Sequence, residues 1–188
     1  MPVTTIDPKP ALLVVDLQKG IMGVPAIDPL DGVVQQAAAL AGAFRRHGLP
    51  VVLVNVAGRA PGRTEAGSPV GSTPPPPDWT EIVAELDPQP EDLRITKTVW
   101  GAFTGTTLDA QLRDLGVTQV VVVGVSTSVG VETTARSAYE HGYHVVLATD
   151  AMTDTNAETH RNSIERIFPK LGETATTAEV LELLDKSR

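Results

Sequence analysis

Four short, strongly apolar runs constrain the fold class of this chain most. They cover residues 11–16, 51–56, 119–124 and 144–149, and the first of them ends in an acid, Asp16. Runs of this kind are typical of strands buried on both faces, as in parallel sheets covered by helices. Two weaker candidate strands lie at 93–97 and 173–175.

Helical patterns fill the intervals between these runs, and several stop directly before a glycine, as helices commonly do. The candidate helices cover residues 33–47, 107–115, 130–141, 156–168 and 176–184. Strands that alternate with helices predict βαβ units, so we expect an α/β fold with a mostly parallel sheet. With 188 residues, the chain has the length of a single domain spanning 1–188.

Composition narrows the possible functions. The chain carries 15 Lys and Arg against 23 Asp and Glu, a formal net charge of −8, which argues against nucleic acid or a membrane surface as its partner. No apolar run approaches the ~20 residues of a membrane helix, and residues 1–10 do not resemble a secretory signal, so we expect a cytoplasmic protein. Cysteine is absent, which excludes a disulfide, a thiolate metal site and a cysteine nucleophile.

Polar residues follow three of the candidate strands. Asp16 and Gln18 follow the first, Lys97 ends the strand at 93–97, and a glycine-flanked turn from Gly124 to Gly130 follows the strand at 119–124. In doubly wound sheets, ligands bind beyond the carboxyl ends of the strands. We therefore expect an acid, a base and a turn that opens a helix at one crevice.

These residues resemble the isochorismatase-like hydrolases. The resemblance rests on Asp-Leu-Gln at 16–18, Lys97 with Trp-Gly-Ala-Phe at 100–103, Gly-Val-Ser-Thr-Ser-Val-Gly-Val-Glu-Thr-Thr-Ala-Arg at 124–136 and the segments 137–143 and 150–152. It covers nearly the whole chain. It implies a three-layer α/β sandwich in which helices flank a six-stranded, mostly parallel, Rossmann-like sheet.

The resemblance also implies catalytic residues. Asp16 and Lys97 stand at the family's acid/base and lysine positions, and Gly130 stands where most members carry the cysteine nucleophile. Members that cleave a vinyl ether do without a thiol, because acid catalysis by the aspartate suffices and water adds to the oxocarbenium carbon. In the family, the Val125–Ser126 bond corresponds to a cis peptide, and the Ser126 and Gly130 amides would form an oxyanion-type pocket.

Two influences act in opposite directions on the pKa of Asp16. Burial raises it, and the Lys97 cation lowers it. A general acid works best with a pKa near the ambient pH, so burial has to prevail for Asp16 to serve as one.

Further side chains are assigned to the binding of substrate. They are Gln18, Arg59, Trp100, Phe103, Ser126 and Thr127. Arg59, with Arg63, is either a bidentate clamp for a substrate carboxylate or a solvated loop charge. Trp100 and Phe103 are either pocket wall or plain core.

No metal or other cofactor is expected. The resemblance extends to nicotinamidases, which bind a metal through an Asp-x-His motif after their second strand, but residues 55–59 read Asn-Val-Ala-Gly-Arg and contain neither ligand. A serine nucleophile at Ser126 or Ser128 is a weaker alternative, because the second glycine of Gly-x-Ser-x-Gly is missing.

The segment 58–78 is rich in glycine and contains four consecutive prolines at 74–77. A connection of this length inside a compact domain is a lid, a subunit contact or a plain surface loop. This segment and the resemblance together lead us to expect a homo-oligomer, a dimer or a tetramer.

We therefore expect a hydrolase that acts on a small carboxylated molecule, a vinyl ether or similar, by acid catalysis and without the chemistry of a cysteine amidase. The alternative is a catalytically silent member of the family that binds a small molecule. Isochorismatases proper usually carry Tyr-Ala-His where this chain has Ser-Thr-Ser at 126–128, so the wall of the site differs and the substrate is left open.

Overall fold

Within the described residues, six strands form one sheet in which every pairing is parallel. The computed structural model describes residues 2–65 and 75–187. The strands are β1 (Pro10–Val15), β2 (Val51–Val56), β3 (Leu93–Lys97), β4 (Gln119–Val125), β5 (His144–Thr153) and β6 (Glu173–Ala175). Their order across the sheet is β3-β2-β1-β4-β5-β6. The predicted α/β class and six-stranded sheet are confirmed.

Helices cover both faces of this sheet. They are α1 (Leu30–Arg46), α2 (Leu108–Asp114), α3 (Glu132–Glu140), α4 (Ala157–Asn162), α5 (Phe168–Leu171) and α6 (Thr177–Lys186). A π-helical turn at Thr127–Val131 leads into α3, and another at Ser163–Ile167 joins α4 to α5. Residues of α1 and α6 pack in one core, and residues of α2, α3 and α5 pack in the other, which gives the three layers.

The side chains of β1 show why its sequence is an uninterrupted apolar run. Leu12 and Val14 pack against one helical layer, whereas Ala11, Leu13 and Val15 pack against the other. All five are at most 1% exposed. Successive side chains of a strand point to opposite faces, so a strand covered on both faces needs an apolar residue at every position.

Gly124 allows β4 to lie close to β1 at the centre of the sheet. Its φ is 118°, and a Cβ at this position would lie 2.0 Å from the carbonyl oxygen of Val15. Only glycine is compatible with that approach. The turns that carry the candidate site begin directly beyond this contact.

The strand β5 continues to Thr153, past the predicted end at 149. The apolar run stops at Asp150, whose exposed carboxylate accepts hydrogen bonds from the N–H and the hydroxyl of Thr177, at 2.7 and 2.9 Å. Negative charge is favourable at this position, the first turn of α6. Asp150 is thus a partner of a neighbouring helix and does not end the strand.

Across residues 2–65 and 75–187, no helix combines the length and the apolar character that a membrane crossing requires.

Candidate active site

A cavity of about 210 Å³ lies at the carboxyl ends of the central strands. The strand order reverses between β1 and β4, and doubly wound sheets bind ligands at that position. Apolar side chains, among them Val24 and Leu30, form much of the wall. The charged and hydroxyl-bearing residues that also line it are Asp16, Arg59, Lys97, Ser126, Thr153, Asp154 and Thr155. A mostly apolar cavity with a few convergent polar groups is the usual form of a small-molecule site.

Asp16 and Lys97 form a buried ion pair in this cavity. The Lys97 Nζ lies 2.7 Å from Asp16 Oδ2, and the two residues are 2% and 7% exposed, respectively. Asp16 follows β1 directly with φ of 56°, a left-handed conformation that aspartate tolerates better than most residues. Lys97 is the last residue of β3, and its Nζ also donates to the carbonyl oxygen of Val99 at 3.2 Å.

Burial raises the pKa of Asp16 to about 6, although the positive charge of Lys97 and its hydrogen bond both lower it. The cost of removing the carboxylate from water is therefore the larger effect. Asp16 Oδ2 accepts the bond from Lys97, whereas the buried Oδ1 accepts no hydrogen bond from any residue in 2–65 or 75–187. The site thus holds a carboxyl group whose pKa is raised to about 6 and one of whose oxygens has no hydrogen-bond partner among the described residues.

The turn after β4 brings Gly130 against this carboxyl group. The Val125–Ser126 peptide is cis, as the resemblance implies. Ser126 and Gly130 both line the cavity. A Cβ built on Gly130 would lie 3.1 Å from Asp16 Oδ2 and 3.1 Å from the carbonyl oxygen of Val125. Three residues that are distant in the sequence, Asp16, Lys97 and Gly130, therefore meet at one point.

Arg59 and Trp100 also line the cavity. Arg59 follows β2 and is exposed, and Trp100 follows β3 with 59% of its surface exposed. Of the two interpretations of Trp100, pocket wall or core, the structure favours the wall. Part of the glycine- and proline-rich segment, residues 66–74, lies outside the described residues, so its interpretation as a lid or subunit contact stays a prediction.

Gln18 does not line the cavity, although it was expected to contact substrate. It is fully buried, and its Nε2 donates to the carbonyl oxygens of Val56 (3.1 Å) and Trp79 (3.0 Å). Its Oε1 accepts the N–H of Val56 at 2.7 Å. Because both ends of the amide are bonded to backbone, Gln18 fixes the segment after β1 to the end of β2.

Thr127 and Phe103 are also placed away from the cavity. The Thr127 hydroxyl is buried, donates to the carbonyl oxygen of Thr153 at 3.0 Å and lies 2.9 Å from His160 Nδ1. Thr127 therefore anchors the turn after β4 rather than presenting a group to a ligand. Phe103 packs in the core with its ring stacked on His141, at a centroid distance of 5.2 Å.

Asp154 is a cavity residue that the sequence analysis missed. It is 3% exposed, and its two oxygens accept the N–H groups of Ser128 and Thr155, each at 2.7 Å. It follows β5 directly, just as Asp16 follows β1. The rule that polar residues directly after a parallel strand lie at the ligand-binding edge would have identified Asp154 if β5 had been predicted to continue past Asp150.

The residues at and after the end of β2 do not fit a metal ion. Asn55 donates through Nδ2 to the carbonyl oxygen of Thr80 at 2.7 Å, and it does not line the cavity. No group of three or more His, Asp or Glu side chains suited to a metal ion occurs in the described part of the chain. Within the same residues, no histidine is hydrogen-bonded to Ser126 or Ser128, so a serine nucleophile lacks its base.

Comparison with known proteins places this chain among close relatives. Residues 10–179 match the isochorismatase domain. The chain is 43% identical over 179 residues to the uncharacterized isochorismatase family protein YwoC of Bacillus subtilis, with 93% of each chain covered. It is 41% identical over 181 residues to the corresponding protein YecD of Escherichia coli, with 93% of this chain and 95% of the relative covered.

A more distant relative and a solved structure also resemble this chain over most of its length. The maleamate amidohydrolase of Pseudomonas putida is 29% identical over 185 residues, which cover 94% of this chain and 87% of that enzyme. The structure of an isochorismatase family protein from Burkholderia thailandensis superposes with a TM-score of 0.86 at 41% identity, covering 96% of this chain and 98% of the other.

Proposed function

The chain belongs to the isochorismatase family of hydrolases, and on this premise we propose that it hydrolyses a small carboxylated molecule by acid catalysis from Asp16. The proposed substrate class is a vinyl ether or a compound of similar reactivity. The proposed catalytic group is a carboxylic acid, because the sequence contains no cysteine.

One observation carries this proposal: the pKa of Asp16 is raised to about 6 by burial while Lys97 lies 2.7 Å away. A carboxyl group with an ordinary pKa near 3.8 would be almost wholly ionised at neutral pH and could not donate a proton. With a pKa of about 6, a useful fraction stays protonated. Substrate that displaces water from the cavity would desolvate Asp16 further and raise its pKa again.

The proposed reaction consumes one water molecule. Asp16 transfers its proton to the terminal alkene carbon of the vinyl ether, which leaves an oxocarbenium ion and the Asp16 carboxylate. Water adds to the cationic carbon and gives a proton to that carboxylate, which yields a hemiketal. Collapse of the hemiketal, with transfer of a proton to the departing oxygen, releases an alcohol and a carbonyl compound. Lys97, whose Nζ lies 2.7 Å from Asp16 Oδ2, compensates the charge of the Asp16 carboxylate.

The lining of the cavity supports a small anionic substrate. Lys97 is paired with Asp16, and Arg59, beyond the end of β2, adds a second positive charge to the lining. An arginine can hold a carboxylate through two parallel hydrogen bonds. The apolar side chains of the lining favour a short hydrocarbon body, and a volume of about 210 Å³ suits a compact molecule.

A substrate screen tests this proposal. Vinyl ethers, esters and amides that carry a carboxylate are offered to the wild type and to Asp16→Asn, and amides are included because one relative is a maleamate amidohydrolase. Asp31→Asn, which changes an exposed aspartate in the first turn of α1, is the matched control. We expect the wild type and the control to turn over a vinyl ether, and Asp16→Asn to lose at least about 100-fold.

The screen also separates the proposal from its alternatives. Full activity of Asp16→Asn would contradict acid catalysis by Asp16. Turnover of amides but not of vinyl ethers would show that the substrate is an amide and not a vinyl ether. Tight binding of a compound that neither wild type nor Asp16→Asn turns over would identify a silent binding member of the family.

A further inference from the structure

The glycine at position 130 is not required by the conformation of the backbone. Its φ lies outside the left-handed region that favours glycine, so the backbone dihedral angles do not by themselves require glycine there. What a side chain at this position would change is the space in front of Asp16. A Cβ would approach Asp16 Oδ2 and the Val125 carbonyl oxygen to 3.1 Å each, and Val15 Cγ1 to 3.2 Å.

This space is bounded by two hydrogen-bond acceptors. The Asp16 oxygen that faces this space is Oδ2, which accepts one hydrogen bond from Lys97 and, as a carboxylate oxygen, can accept a second. The Val125 carbonyl oxygen is the second acceptor. A water molecule is stable in a buried polar site when it has at least two polar partners and enough room. Asp16, Val125 and Gly130 all line the cavity of about 210 Å³, which supplies the room.

We infer that the space between Gly130, Asp16 and Val125 binds the water molecule that attacks the substrate. This inference rests on the proposed function and assigns its nucleophile. Two acceptors hold the water by its two protons, so both lone pairs of its oxygen are directed away from the protein, toward the cavity. The small residue at 130 is then a requirement of this site, because a side chain there would take the place of the water.

The position of the water also accounts for the return of the proton. After Asp16 has protonated the substrate, its carboxylate accepts the hydrogen bond from this water more strongly than the neutral acid did. When the water oxygen bonds to the oxocarbenium carbon, its proton passes along that hydrogen bond to Asp16. The O–H bond of the water breaks, the new C–O bond forms, and Asp16 regains the proton it gave.

Crystallography at high resolution tests the site without any substrate. In wild-type crystals we expect an ordered water within about 2.6–3.2 Å of a carboxylate oxygen of Asp16 and of the Val125 carbonyl oxygen. In Gly130→Ala we expect the methyl group to exclude this water. Gly32→Ala, in the exposed face of α1 where a Cβ would meet nothing within 4 Å, is the control and should keep it.

The titration of Asp16, followed by carbon NMR of its carboxyl group, gives a second readout. Loss of a water that donates to the carboxylate disfavours its charged form, so the pKa of Asp16 should be higher in Gly130→Ala than in wild type or Gly32→Ala. For a vinyl ether that the wild type hydrolyses, we expect kcat of Gly130→Ala to fall about 100-fold with little change in KM.

Three results would overturn the inference. They are wild-type crystals without water at this position, an Asp16 pKa that is the same in Gly130→Ala as in wild type, and an unchanged kcat in a variant whose crystals lack the water. The first readout uses wild-type protein alone, so it stands even if Gly130→Ala does not fold. None of these results bears on whether Asp16 is the acid, which Asp16→Asn tests separately.

Discussion

The Asp16 carboxyl group owes its behaviour to two neighbours that oppose each other. Burial favours the neutral acid, and Lys97 favours the carboxylate. The net result is a pKa near 6, which neither influence alone would give. A lysine beside the acid therefore prevents burial from raising the pKa so far that the group could no longer regain and release its proton in each cycle.

Replacing the lysine tests this balance. In Lys97→Met both interactions that lower the pKa of Asp16 are removed while its burial remains, so the pKa should rise well above 6. Carbon NMR titration of the Asp16 carboxyl, assigned by comparison with Asp16→Asn, measures it. Lys170→Met, at an exposed position in α5, serves as the control and should leave the pKa unchanged. A lower or equal pKa in Lys97→Met would mean that Lys97 does not stabilise the carboxylate.

At the scale of secondary structure, the site depends on how the strand ends are joined. Gln18 bonds to backbone groups at the end of β2 and at Trp79, although these lie far along the sequence from it. The segment that follows β1, including Val24, then forms one wall of the cavity. Gln18 thus positions a wall of the cavity through hydrogen bonds to the backbone, although it does not line the cavity itself.

The variant Gln18→Ala should therefore be destabilised. It leaves the N–H of Val56 and two carbonyl oxygens without their partner, and we expect a loss of about 3 kcal/mol in the free energy of unfolding. Urea unfolding measures this loss. The control, Gln35→Ala on the exposed face of α1, should change stability by less than about 0.5 kcal/mol. Equal effects of the two substitutions would show that the buried amide contributes nothing specific.

The strands were the most predictable elements, for a physical reason. A strand covered on both faces is apolar along its length, so β1 and the first four residues of β2 are visible in the sequence as continuous apolar runs. The bounds of β3 and β6 were also predicted correctly. The end of β5 was predicted too early. Asp150 interrupts the apolar run, and its carboxylate bonds to the first turn of α6, a distant contact that no local sequence pattern shows.

The site was predictable only in part, because some of its features follow from local sequence patterns and others depend on contacts between distant residues. Asp16 and Lys97 were expected to lie together because the ends of parallel strands lie at one edge of a sheet, and the structure places them there. Gly130 was singled out through the resemblance, and the structure places it beside Asp16. Gln18 and Thr127 were expected at the substrate but do not line the cavity, because a polar residue near a strand end looks the same in the sequence whether it faces a ligand or bonds to backbone. Only the fold decides which partner each side chain meets.

At the scale of the whole molecule, we predict a homo-oligomer, a dimer or a tetramer. The expectation comes from the resemblance and from the glycine- and proline-rich segment 58–78. The exposed Trp100, at 59% of its surface, adds an apolar group beside the cavity that a second copy would cover. Light scattering on the protein as it elutes from a size-exclusion column, at micromolar concentration, measures the mass of the assembly. A species of 19.8 kDa, the mass of one chain, would contradict the prediction.

The pH dependence of kcat/KM, measured with a vinyl ether that the wild type hydrolyses, tests the central claim most directly. The claim is that Asp16 acts as an acid, so only its protonated form is active. The pKa of Asp16 in the free protein is about 6, and the protonated fraction falls as pH rises through that value. We therefore predict a kcat/KM that is constant below about pH 6 and falls about tenfold per pH unit above it. A kcat/KM that rises through pH 6, as it would if the ionised carboxylate were the active form and served as a base, would contradict the account.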